Sequence, residues 1–345
     1  PIQPLPRMTL SRAAHTATAL PDGRVLVAGG CTADGCEGAT RGARSELFEP
    51  ERRAFVAGPA MTTPRAGHTA TPLPGGAVLI VGGYTGEGAA PLASAEVFDP
   101  GEGSFRGTAS MSVGRGAHSA VALSDGRVLV MGGVSGAEQF LDSAEMYDPR
   151  TGRWTRTGPM TTARSAAAAV ALADGRVLVT GGQAVAGEVL DTAEVFDPAS
   201  GRWRRAGRLT DGRYKHAASL LADGRVLVVG GSGPGDQAEQ LASAELYDPS
   251  SNRFSATGSM QFARFKIPDA VAIGPDGRVV VAGGASTVEV FDPVAESFTP
   301  MEGRLGDALS FSTATVLGDG RVLVLGGYDA SIAARSDAYL LDVSP

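Results

Sequence analysis

Cysteine and histidine are scarce in this chain, with two of the first and four of the second in 345 residues. The cysteines, Cys31 and Cys36, share one glycine-containing loop and have no second pair nearby. Structural zinc normally takes four ligands, so a lone C-x4-C pair is a poor zinc site. Two readings remain for it: a disulfide stapling the loop, which implies an oxidising compartment, or two free thiols. Long apolar runs are missing. The longest are strand-sized, well short of the roughly 20 residues a bilayer-spanning helix needs. Positive charge is in deficit, with 30 Lys and Arg against 37 Asp and Glu, which argues against a general nucleic-acid binder. Also missing are a Gly-x-Ser-x-Gly nucleophile elbow, a His-Glu-x-x-His helix and a phosphate loop ending in Gly-Lys-Ser/Thr.

What the chain has in excess is glycine, 48 residues, and it is placed periodically. Glycine pairs fall at Gly29-Gly30, Gly82-Gly83, Gly132-Gly133, Gly181-Gly182, Gly230-Gly231, Gly283-Gly284 and Gly326-Gly327. The intervals run from 43 to 53 residues. Self-similarity near fifty residues is the mark of a propeller or solenoid and overrides the two or three domains that length alone suggests. With 43% hydrophobic residues, the chain can fill a core between many short sheets.

The third copy serves as the reference. Ser119 to Leu123 is small and apolar, as suits a crowded innermost strand a. Ser124-Asp125-Gly126 is a hairpin turn with glycine where positive φ is needed. Arg127 to Met131 reads as strand b, apolar on both faces and packed between sheets. Ser143 to Tyr147 alternates as strand c, and Arg153 opens strand d, which runs toward Met160. Strand c carries an aromatic in six copies (Phe48, Phe98, Tyr147, Phe196, Tyr247, Phe291), and so does strand d (Phe55, Phe105, Trp154, Trp203, Phe254, Phe298). These rings are expected to pack between sheets. The seventh copy stops after three strands, and residues 1–8 are expected to supply the fourth, with Ile2 in the aromatic's place. Closing the ring this way removes exposed sheet edges.

The double glycines, the strand-c Tyr/Phe followed by Asp-Pro, and the strand-d Trp/Phe resemble the Kelch repeat in the form common in bacterial chains. The match is clearest at Gly132-Gly133, Tyr147, Trp154 and at Gly181-Gly182, Phe196, Trp203, and it covers essentially the whole chain. The resemblance implies an all-β fold: one seven-bladed propeller over residues 1–345, with four-stranded antiparallel blades. Kelch propellers are known as binding platforms and a minority are enzymes; a fold does not by itself carry a function. Galactose-oxidase-like members hold copper with tyrosines and histidines, one tyrosine being crosslinked to cysteine. The placement of Cys31 and Cys36 in one loop argues against that chemistry here, and no cofactor or metal is expected.

Strand order puts the b–c and d–a connections on one face, and variable loops on a rigid scaffold are where recognition concentrates. Arg12, Arg65, Arg115, Arg164 and Arg213 recur at the entry to the innermost strands on that face. They suit an acidic ligand through the guanidinium fork, or else bridge blades through carbonyls and glutamates. The histidines, His15, His68, His118 and His216, each follow an arginine by three residues; the fourth copy has Ala167 there. Such repetition favours framework over a metal cluster. Tyr214-Lys215-His216 and Phe265-Lys266-Ile267-Pro268-Asp269 break the small-residue pattern. They suggest a shallow pocket walled by Tyr214, Lys215, Phe265 and Lys266 above Ala167, unless they are drift at a blade junction. Tyr84 and Tyr328 are candidate loop contacts.

The expected function is a monomeric binding module for a protein, peptide or acidic small molecule, without a membrane span or nucleic-acid partner. An epimerase- or lyase-like enzyme using His118, His216 or Tyr214 as base is the alternative, and a structural spacer lacking any pocket is a third. Because the chain opens at Pro1, it is expected to be a trimmed, exported form, extracellular or periplasmic.

Overall fold

A computed structural model describes the chain except residues 34–35, 37–42, 87, 137–138, 236–238 and 344–345. The described residues form seven four-stranded antiparallel sheets, the blades of a propeller. Parts of four b–c loops noted in the sequence therefore lie outside the described residues. Blade three is representative: strands Ser119–Ala122, Val128–Met131, Ala144–Asp148 and Arg153–Arg156 pair in that order. Strand d ends at Arg156 rather than continuing toward Met160, whose N–H instead bonds the Asp142 carbonyl across the connection.

The b strands are buried along their whole length, as their unbroken apolar sequences require. Between each two neighbouring blades lies one apolar cluster, seven in all among the described residues. The core is thus a ring of seven wedges with no single centre. Within six blades the strand-c and strand-d aromatics face each other at 4.8–5.0 Å in tilted pairs, each contributing about 1 kcal/mol beyond its buried area.

Blade seven is closed by the N-terminal strand Ile2–Pro4, which pairs with Ala338–Leu341. Ile2 lies opposite Leu341, the position Tyr147 and Trp154 share in blade three. An aliphatic pair thus replaces the aromatic one at the seam where the two ends of the chain meet.

On the a–b face the turns are rigid and alike. Asp125 accepts from the backbone N–H of Arg127 at 3.0 Å and from its Nε at 2.8 Å, around Gly126 at φ +86°. The same bracket recurs at Asp22, Asp174, Asp223, Asp276 and Asp319. The opposite face carries the varied connections.

Candidate functional site

Six arginines enter the innermost strands on this second face, Arg264 holding the sixth position, and each is at most 1% exposed. Arg115 Nη1 donates to the Gly132 carbonyl at 2.8 Å and to the Ser143 carbonyl at 3.0 Å, while Nη2 meets Glu145 Oε1 at 3.0 Å. Glu145 Oε2 accepts the Ser112 N–H at 2.8 Å. The other five repeat this pattern with Glu46, Glu96, Glu194, Glu245 and Glu289. Each arginine's own carbonyl accepts the N–H of the second glycine in the preceding blade, as Arg65 does for Gly30 and Arg115 for Gly83. One residue therefore ties two blades. This corrects the ligand-facing expectation for Arg12, Arg65, Arg115, Arg164 and Arg213, because their charge is spent inside the blades and none lines the central cavity.

Blade seven lacks the pair altogether. Leu309 stands in the arginine's place and Tyr339 in the glutamate's, both in one apolar cluster. The Tyr339 hydroxyl accepts the Gly306 N–H at 2.7 Å, the bond Glu145 makes to Ser112 in blade three.

The histidines are framework too. His68, His118 and His216 share Nε2 hydrogen bonds of 2.9–3.0 Å with Thr16, Thr69 and Thr180, and His15 one of 3.3 Å with Thr313. Burial, reinforced by the neighbouring arginine, pushes His15 and His118 down to about 3 and holds His68 and His216 well below the usual value. All four are neutral. Their rings fill the seam: a Cβ on Gly29 would meet His68 Cε1 at 2.5 Å, which is why that position, at φ +65°, is glycine. His118 and His216 border the cavity but are at most 8% exposed with Nε2 bonded to threonine, and Tyr214, 4% exposed, is not on the cavity wall.

Around the channel runs a ring of equivalent residues, each two positions after the arginine site: Ala14, Gly67, Ala117, Ala166, Lys215, Lys266 and Phe311, all but Lys266 bordering the cavity. All seven have positive φ, between +50° and +60°. Backbone hydrogen bonds lock the ring, from Gly67 to Ala14, Ala166 to Ala117, Lys215 to Ala166, Phe311 to Lys266 and Ala14 to Phe311, at 2.8–3.1 Å. Glycine is the residue that takes this conformation freely, and any other sacrifices roughly 1 kcal/mol there. Four positions hold the smallest side chains. Three consecutive ones hold large ones.

Inside the ring lies a cavity of about 1000 Å³. Its wall includes Ala166 to Ala169, Lys215, Asp269 and Phe311, and the loop residues Tyr84, Phe140, Tyr328 and Ile332. Tyr84 and Tyr328, the candidate loop contacts, are both on this wall. Ile332 is 56% exposed and, although β-branched, has φ +64°. Cys31 and Cys36 are bonded to each other and also border the cavity, with the Tyr328 hydroxyl 3.7 Å from Cys36 Sγ.

The expected aromatic walls are corrected: Tyr214 and Phe265 are buried and pack edge to face at 5.4 Å, behind the lysines. Lys215 Nζ lies over both rings at 5.0 and 5.1 Å, and Lys266 Nζ over Phe265 and Phe311 at 5.1 and 5.8 Å. The result is a cationic sector with aromatic backing, across blades five to seven. Asp269 and Phe311 escaped the sequence reading of the site, although both occupy the segments that break the small-residue pattern or end it.

A family model described as the KLHDC2/KLHL20/DRC7 Kelch-repeats domain matches residues 67–284. The chain belongs to the Kelch-repeat family, whose domains typically bind proteins. A comparison with curated proteins gave no match. Among solved structures, a fungal alcohol oxidase of the AA5 family in complex with copper superposes with a TM-score of 0.75 at 19% identity, over 99% of this chain and 75% of that one. The structure of YjhT gives 0.62 at 15% identity, over 99% and 97%. At these identities the likeness is one of fold. Among the described residues, no group of three His, Cys, Asp or Glu could hold a metal ion.

Proposed function

We propose that this propeller is a binding module that captures a protein, peptide or small molecule by an anionic group, on the face bearing the b–c and d–a loops. The carrying observation is the asymmetry of the seven-membered ring. Glycine would relieve the cost at every position and alanine would leave the channel open, yet Lys215, Lys266 and Phe311 stand at φ +51°, +60° and +56°. Backbone strain kept where a smaller residue is tolerated is a pointer to function. Lys266 makes no ion pair among the described residues, and its stacking on Phe265 and Phe311 leaves the ammonium oriented but without a counter-charge. The cavity beside it supports a ligand-binding role over a spacer. The disulfide supports placement in an oxidising, extracellular or periplasmic setting.

A thermal-shift panel of neutral sugars, sugar acids, phosphates and acidic peptides tests this reading, run on the native protein and on Lys266→Gly. A ligand that binds only the folded state raises its melting temperature. Stabilisation by anions alone, lost in Lys266→Gly, is the expected result. Stabilisation by neutral sugars that is indifferent to the substitution would overturn it.

A further inference from the structure

Asp269 adds an opposite charge to this cavity, and its origin is a local departure from the repeat. In six copies eight residues separate the ring position from the first residue of the Asp-Gly or Gly-Gly turn, as from Lys215 to Asp223; in the sixth, Lys266 to Asp276, there are ten. Ile267 occupies the buried slot that histidine fills elsewhere: a Cβ on Gly230 would meet Ile267 Cδ1 at 2.9 Å, just as one on Gly181 would meet His216 Cε1. The two additional residues are therefore Pro268 and Asp269, and both are exposed to the channel.

The bulge is braced on both sides. Ile267 and Ala270 are fully buried, the Ala270 N–H bonds the Ile267 carbonyl at 3.1 Å, and the Asp269 carbonyl accepts the Ala314 N–H at 2.8 Å. The backbone is fixed while the carboxylate points at open cavity. Among the described residues it is the only carboxylate on the wall, and it has no side-chain donor. Among the described residues, Lys215 is the one lysine or arginine on that wall. The carboxyl is enclosed by the ring, and loss of bulk solvent raises it to about 6.

We infer that the ligand carries, besides its anionic group, a basic amine that enters the channel and pairs with Asp269. This inference rests on the anion-binding reading above and narrows the ligand to a zwitterion. A single carboxylate without a partner suits an ammonium, which brings both charge and donors.

The test is calorimetric titration of the full chain with glycine, β-alanine, γ-aminobutyrate and ε-aminocaproate. Each is matched by the carboxylate without its amine: acetate, propionate, butyrate and caproate. Above the Asp269 transition, at least one amino acid of the series should bind about tenfold or more tighter than its match, the gain expected of one charge-assisted bond. Asp269→Asn should remove the gain and leave the plain carboxylates unchanged, and acidification through about 6 should do the same in the native protein. Asp269→Ser provides a second removal of charge should the asparagine pack differently. If plain carboxylates bind but the amine adds nothing, or the gain survives in both variants, the Asp269 assignment falls and the anion reading stands. If neither series binds, both fall.

Discussion

Blade seven offers a natural control for the buried ion pairs, and replacing the Arg115–Glu145 pair by its residues tests their role. Arg115→Leu alone leaves Glu145, 2% exposed, without its cation, and also strips a donor from the Gly132 and Ser143 carbonyls. Breaking one side of such a pair costs about 3–5 kcal/mol, mostly from the uncompensated buried charge. Glu145→Tyr alone strands the guanidinium and should cost a similar amount. The double variant reproduces Leu309 and Tyr339, and its tyrosine hydroxyl can accept the Ser112 N–H as Tyr339 accepts that of Gly306. Exchanging a whole buried pair for packed apolar groups is often neutral or stabilising. Denaturant unfolding should therefore place the double variant within about 2 kcal/mol of the native protein, with a coupling energy above the 0.5–3 kcal/mol usual for neighbours. A double variant as unstable as the two single changes combined would refute the reasoning. The pair would then be doing something that Leu309 and Tyr339 do not replace.

Four further outcomes follow from the same geometry. The histidines have folded pKa values far below their unfolded ones, so their contribution is complete above about 6.5 and is lost as pH falls toward about 3; near pH 5, His15 and His118 should each cost about 2 kcal/mol, read as a falling urea midpoint that a His118→Gln variant partly flattens. Asp269 has the opposite sign: its folded pKa is raised, so it destabilises as pH rises through about 6, and Asp269→Asn should melt higher than the native protein at neutral pH but not in acid. Lys266→Gly relieves a left-handed conformation while losing the stacking on Phe265 and Phe311, so its stability should stay within about 1 kcal/mol of native, whereas Gly133→Ala should destabilise strongly, its Cβ meeting the Gly116 carbonyl at 2.6 Å at φ +94°.

The fold was legible because each blade restates it. Seven glycine pairs, the alternating strand c and the paired aromatics specify the same sheet independently, and even the terminal strand could be placed by matching Met8-to-Arg12 with Met160-to-Arg164. The site was less legible because burial is not written in residue type. Arginines look like ligand-binding groups until the strand-c glutamates are known to point inward with them. The joint loss of both in the seventh copy, at Leu309 and Tyr339, was the available signal. The positive φ of the ring is a product of closure and has no signature in a run such as Arg164-Ser165-Ala166-Ala167. Asp269 could have been found by counting, since its copy alone is two residues long in that segment.

The most direct measurement of the central claim is fluorescence anisotropy of a labelled acidic peptide against its amidated, uncharged twin. Four proteins are compared: native, Lys266→Gly, Lys215→Ala and Arg127→Ala, the last on the opposite face and paired there with Asp125. The account predicts binding of the acidic form only, weakened by salt, diminished in both lysine variants and unchanged in Arg127→Ala. Equal binding of the two peptides, or equal loss in Arg127→Ala, would contradict it.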